Sequence, residues 1–183
     1  MTHLRLLAPP FPQMTADEAC LDAFQQELAY IYRTLRRLGT ASTEVDDLAQ
    51  DVFLALRRSW TQYDPSRPLR PYLFGIAFRI ASAYQRKGRR EVPFGIVDVD
   101  DTRPGPDDVL QTKQARALVL AALERIPLPR RAVLVMRDLD EIPIDEVASV
   151  LAIPLFTAYS RLRKARRELQ AAVRRTSKET DFR

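Results

Sequence analysis

The chain has 183 residues, enough for one ordinary domain or two small ones, and 46% of them are apolar, enough to bury a core. Its net charge of +5 leans towards an anionic partner without establishing one. One cysteine, Cys20, and one histidine, His3, exclude an internal disulfide, a metal-ligand cluster and a Cys–His nucleophile pair, so no metal, cofactor or catalysis is expected. No apolar run approaches the roughly 20 residues needed to cross a bilayer. Residues 1–14 are interrupted by Pro9, Pro10 and Pro12 and do not read as a signal peptide. A cytoplasmic protein with a disordered N-terminus and no direct membrane insertion is expected.

Beyond that terminus, charge divides the chain. Residues 21–90 hold 12 basic and 7 acidic side chains, residues 91–111 hold 1 and 6, and residues 112–175 hold 13 and 7. The acidic middle also carries Pro93, Gly95, Pro104, Gly105 and Pro106, which is linker chemistry. The expected architecture is all-α: a helical domain over 15–90, a flexible acidic linker over 91–111, a second helical domain over 112–175 and a tail over 176–183.

In the first block, Leu21, Phe24, Leu28, Ile31, Leu35 and Leu38 recur at steps of three and four, one face of a single amphipathic helix. Thr15 with Glu18 suits a capping box at its start, and Gly39 suits its stop. A second helix runs from about Ser42 towards Tyr63, with Val45, Leu48, Val52, Leu56 and Trp60 as its buried stripe. After the turn Asp64-Pro65-Ser66-Arg67-Pro68, a third helix buries Leu69, Leu73, Ile76, Ile80 and Ala83 and ends in Arg86-Lys87-Gly88-Arg89-Arg90.

The second block predicts helices over about 112–126, 130–139, 144–151 and 155–173, punctuated by Pro127, Pro129, Pro143 and Pro154. The last two read as a helix-turn-helix. Val147, Ala148 and Leu151 pack the short helix, Ala152-Ile153-Pro154 forms the break, and Leu155, Ala158, Leu162, Ala165 and Leu169 line one face of the long helix. Small Ala148 permits close crossing, and Ile153 plugs the corner. The long helix exposes Tyr159, Ser160, Arg161, Arg163, Lys164, Arg166 and Arg167, a surface suited to the major groove and equally to a solvated helix in a bundle.

The segment ALERIPLPRRAVLVMRDLDEIPIDEVASVLAIPLFTAYSRLRKARREL resembles region four of bacterial RNA polymerase sigma factors. In the first block, Asp46-Asp47-Leu48-Ala49-Gln50-Asp51-Val52-Phe53 is similar to the EDLVQEVF motif of region two. Arg67-Pro68-Leu69-Arg70-Pro71-Tyr72-Leu73 is similar to its RPLRAWL stretch, and Ile76-Ala77 to the start of its IARN motif. With no third region between them, the chain looks like a sigma factor of the extracytoplasmic-function (ECF) type.

The resemblance implies a protein that directs core RNA polymerase to promoters and assists melting, with core polymerase, promoter DNA and an anti-sigma factor as partners. It implies core binding by Asp46, Asp47, Gln50, Asp51 and Leu54, whose carboxylates otherwise read as helix-dipole stabilisation. It implies contact with the minus-ten element by Arg67, Arg70, Tyr72, Arg79, Tyr84, Arg86, Lys87, Arg89 and Arg90. For the minus-thirty-five element it implies Phe156, Thr157, Tyr159, Ser160, Arg161, Arg163, Lys164 and Arg167.

The family's tryptophan is Tyr72 here, its asparagine falls near Arg79, its glycine before Thr157 is Phe156, and its basic residue before Ser160 is Tyr159. Phe156 is therefore read either as packing on the corner or as touching thymine methyls or sugar. The acidic linker is read as a tether, as a screen for the basic faces or, by resemblance, as a strand in the RNA path. Two other readings compete with a sigma factor. A conventional helix-turn-helix regulator would not bind core polymerase, and a small nuclease or nucleotidyl transferase would need clustered carboxylates that the pattern does not supply.

Overall fold

The computed structural model describes the backbone of residues 15–91 and 107–180, and the side chains of 15–88 and 115–175. The N-terminal fourteen residues, most of the acidic linker and the last three residues lie outside this range. All regular structure among the described residues is helical, and no described helix is long and apolar enough to cross a membrane.

Helix α1 (Ala16–Gln26) starts on the expected capping box. Thr15 Oγ1 accepts from the Glu18 amide at 3.2 Å, and Glu18 accepts from the Thr15 amide at 2.7 Å. The expected single helix then breaks at Glu27, and α2 spans Leu28–Arg37. The break resets the helical phase. Cys20 and Phe24 face the core from α1 and Tyr30, Ile31, Thr34 and Leu35 from α2, while Leu21 and Leu28, expected to be buried, are exposed. At the end of α2 the Gly39 amide donates to Arg36 O and the Thr40 amide to Leu35 O, with Gly39 at φ 90°. This is a Schellman stop, which favours glycine at the left-handed position.

Helix α3 (Val45–Ser59) buries Val45, Leu48, Val52 and Leu56 as expected; Trp60, just beyond it, is only half-buried. Helix α4 (Leu69–Glu91) buries Leu73, Ile76 and also Phe74, Ala77 and Ala81, while Ala83 is exposed. The one-sided stripe underestimates this helix because it is covered on more than one side. It packs on α2 and α3 and, on a further face, on the second half of the chain.

Helix α5 (Asp107–Glu124) begins five residues earlier than the linker boundary predicts. Acidic residues suit the first turn of a helix as well as a linker, so composition alone misplaced the start. After Pro127 come α6 (Leu128–Leu134) and a π-helical turn (Val135–Leu139). Then α7 (Ile144–Val150) and α8 (Leu155–Thr180) form the expected helix-turn-helix. Its turn is a second Schellman stop: the Ala152 amide donates to Ser149 O, the Ile153 amide to Ala148 O, and Ala152 takes φ 51°. Ala148, Ala158, Leu162 and Ala165 are buried at the helix crossing. Leu155, expected on the buried face, is 46% exposed, because the helix begins beyond the edge of the crossing.

The two halves share one continuous core. Val150 of α7 lies against α4 so closely that a Cβ on Gly75 would meet its Cγ1 at 3.2 Å. Asp140 accepts from Tyr30 Oη at 2.8 Å and from Arg37 at 2.9 Å. Its side chain is only 8% exposed, and burial raises its pKa against the opposing pull of Tyr30 and Arg37.

A carboxyl with a raised folded-state pKa holds its proton more tightly in the folded protein. Its contribution is therefore full below the unfolded pKa of about 3.9 and is lost as pH rises through the folded value. Asp140→Asn removes this titration and keeps an acceptor for Tyr30. Urea unfolding should show the variant gaining stability relative to the wild type as pH rises from about 4 to 7. A difference that does not vary with pH would refute this account.

Candidate nucleic-acid and polymerase interface

Helix α3 turns its apolar stripe inwards, which leaves Asp46, Asp47, Gln50 and Asp51 on the opposite, exposed side. Asp47, Gln50, Asp51 and Leu54 fall at i, i+3, i+4 and i+7, a single stripe. Leu54 is 38% exposed, an apolar spot beside the carboxylates. Asp46 accepts a hydrogen bond from Tyr32 at 2.6 Å, so it is already engaged within the fold. Asp51 and Leu54 also border a groove of about 450 Å³ between α3 and α4, together with Ile80, Tyr84 and Lys87.

The residues expected at the minus-ten element do not all meet. Arg67, Arg79, Arg86 and Lys87 are exposed. Arg70 is paired with Glu27 at 2.9 Å, and its guanidinium lies 5.3 Å from the centre of the Tyr30 ring. Tyr84 lies five residues after Arg79, about 140° round the helix, and lines the α3 groove instead. Tyr72 is half-buried, its ring 5.2 Å from Tyr63, which in turn stacks on Trp60 at 5.4 Å. This aromatic series was not anticipated, although Trp60, Tyr63 and Tyr72 flank the predicted turn. Gly75 is covered by Val150 of α7, while Arg79, one turn further along the same face of α4, stays exposed. The side chains of Arg89 and Arg90 lie outside the described residues.

On α8, Phe156, Tyr159, Arg163, Lys164 and Arg167 are exposed, while Thr157, Ser160 and Arg161 are half-buried. Phe156, at 76% exposure, does not pack on the corner. Arg166 forms a two-pronged pair with Asp138 at 2.7 and 2.8 Å, and Arg130 is bound to Glu168 at 2.8 Å. These pairs fasten α8 to the preceding elements and leave a cationic face outward.

The fold and these surfaces define a class: an all-helical DNA-binding protein with a C-terminal helix-turn-helix and an N-terminal helical unit bearing an exposed acidic stripe. Residues 23–91 match the family model described as sigma-70 region 2, and residues 116–169 match sigma-70 region 4, together more than half of the chain. The chain is 28% identical over 146 residues to the RNA polymerase sigma factor CnrH of Cupriavidus metallidurans, covering 74% of this chain and 76% of that protein. It is 26% identical over 174 residues to the ECF sigma factor SigE of Mycolicibacterium smegmatis, covering 91% and 67%. Among solved structures it resembles CnrH in complex with the cytosolic domain of CnrY, with TM-score 0.59, 25% identity and coverage of 85% and 90%. The fold is also that of RpoE bound to the anti-sigma factor NepR from Bartonella quintana, with TM-score 0.61, 21% identity and coverage of 84% and 98%. The chain belongs to the sigma-70 family and is a sigma factor of the ECF type.

Proposed function

We propose that this sigma factor divides promoter recognition between its two halves. Asp47, Gln50, Asp51 and Leu54 dock core polymerase. Arg67, Tyr72, Arg79, Arg86 and Lys87 hold the minus-ten strand. The outward face of α8 reads the minus-thirty-five element. The observation that carries this reading is α8 itself: after a tight turn, it presents Tyr159, Arg163, Lys164 and Arg167 outward on one helix.

Splayed bases need planar side chains and a cationic groove, and Tyr72 with Arg79 supplies both kinds of group. Because α7 covers Gly75, DNA can reach α4 at Gly75 only if α7 moves away, whereas Arg79 is already exposed. An anti-sigma partner is proposed from the two relatives solved with CnrY and NepR. The cytoplasm, where polymerase and DNA meet, is the proposed site of action.

The test is transcription in vitro with purified core enzyme, followed by alanine variants of Tyr159, Arg163 and Lys164 on a randomised minus-thirty-five library. A base-reading side chain should relax preference at one position by about 1–3 kcal/mol, whereas a phosphate contact should weaken all sequences alike and reduce the salt slope by about 1. If none of the three changes affinity or preference, α8 does not read DNA. A chain that binds duplex but never core polymerase would instead be a conventional helix-turn-helix regulator.

A further inference from the structure

Phe156 is the most exposed large apolar side chain among the described residues, at 76%. An isolated exposed apolar residue is ordinary. Here, however, Leu155 at 46% and Tyr159 at 55% stand beside it, three exposed apolar side chains within five residues at the start of one helix. An apolar patch rimmed by charge marks a contact surface.

Its surroundings favour duplex DNA as the occupant. Phe156 is the second residue of α8 and stands as a ridge between two clefts. One, of about 760 Å³, is lined also by Tyr159, Arg163 and Arg167; the other, of about 350 Å³, by Arg130, Arg161 and Lys164. Both flanks are therefore cationic. A ridge with basic flanks matches a groove about 12 Å wide that is edged by two lines of phosphates.

The chemistry of the side chain then limits what it can read. A phenyl ring has no donor or acceptor, so it cannot use the hydrogen-bond code of the base edges. The apolar group that the major groove displays is the C5-methyl of thymine. We infer that Phe156 is a specificity-determining residue that selects thymine at one position of the upstream promoter element through that methyl group. This rests on the reading that α8 enters the major groove, and it adds a base identity that the arginines and lysine of the helix do not supply.

The test uses holoenzyme assembled from core polymerase and the full chain, on the element selected from a randomised library. Each thymine is replaced in turn by deoxyuridine, which removes only the methyl. For the wild type, one replacement should weaken binding about fourfold, the worth of one buried carbon. Phe156→Ala should be indifferent to that replacement, and Phe156→Leu should retain part of the discrimination. Circular dichroism should show both variants folded, since the ring is exposed. If the wild type selects an element but tolerates deoxyuridine at every thymine, or selects no thymine at all, the Phe156 assignment is overturned while the role of α8 stands. If no sequence is selected, the groove reading of α8 fails first. If Phe156→Ala weakens core binding and leaves base preference unchanged, the patch is a protein contact and the proposal is wrong.

Discussion

Arg131→Ala is expected to lower the free energy of unfolding by about 1–3 kcal/mol, the cost of leaving buried carbonyls without their donor. The side chain is 5% exposed, and burial pushes its pKa down to about 10, so it remains a cation at neutral pH. It donates through Nε to Ile126 O at 3.1 Å and through Nη2 to Ile126 O at 3.0 Å and Glu124 O at 2.8 Å. These carbonyls lie at and just beyond the C-terminal end of α5, where a helix has no internal donors left to offer. Alanine would leave both without this donor and open a cavity where the guanidinium packed.

The same guanidinium fills the space beside Gly39, so a Cβ there would collide with Arg131 Nη1. Gly39→Ala should therefore cost more than the roughly 1–2 kcal/mol of a left-handed alanine alone. Combined with Arg131→Ala, the steric part should disappear and the backbone part remain, giving a measurable coupling in a double-mutant cycle. Urea denaturation of the four proteins checks this. A cost for Arg131→Ala below about 1 kcal/mol would show that these bonds do not hold α5 in place.

How much of this was legible in the sequence depended on how many sides of a helix are covered. The stripe of α3 is one-sided, and Val45, Leu48, Val52 and Leu56 were read correctly by period alone. In α4 the same method missed Phe74 and misassigned Ala83, because burial by α2, α3 and α7 leaves no single apolar face to find. The run Leu73-Phe74-Gly75-Ile76-Ala77-Phe78 was the available signal. A helix apolar nearly all round is one with neighbours on more than one side.

The α1–α2 break was hidden for another reason. Glu27 is no helix breaker, and its φ of −100° with ψ of 7° is set by packing, not by a glycine or proline. The polar link from Tyr30 and Arg37 to Asp140 spans more than 100 positions, and nothing local in the chain announces it. The recognition helix was legible in its cationic outward face. Which of its arginines is tied to a carboxylate was not, since Asp138 reaches Arg166 only through the fold.

Asp47→Arg with Asp51→Arg is expected to weaken core polymerase binding by about 2–4 kcal/mol, roughly 30- to 1,000-fold in Kd, because reversal sets like charges against a basic partner surface. Both residues are exposed one turn apart on α3, and reversing them disturbs no buried contact. A competing account is that these acids serve only the positive end of the helix. Asp47 lies in the first turn, where losing its charge costs α3 about 0.3–1 kcal/mol.

Leu54 separates the two accounts. It carries no charge, lies on the same stripe and borders the groove between α3 and α4 with Asp51. If the stripe docks polymerase, Leu54→Ala should also weaken core binding, by about 1–2 kcal/mol for a lost apolar contact. A helix-dipole role would leave core affinity untouched by that change. Salt should divide them further. The charge-reversal effect should shrink as ionic strength rises from 0.05 to about 0.5 M, while the Leu54 effect should persist. Competition binding against core enzyme, with circular dichroism on each variant, provides the measurement. A folded double variant that binds core as tightly as the wild type at low salt would remove α3 from the polymerase interface.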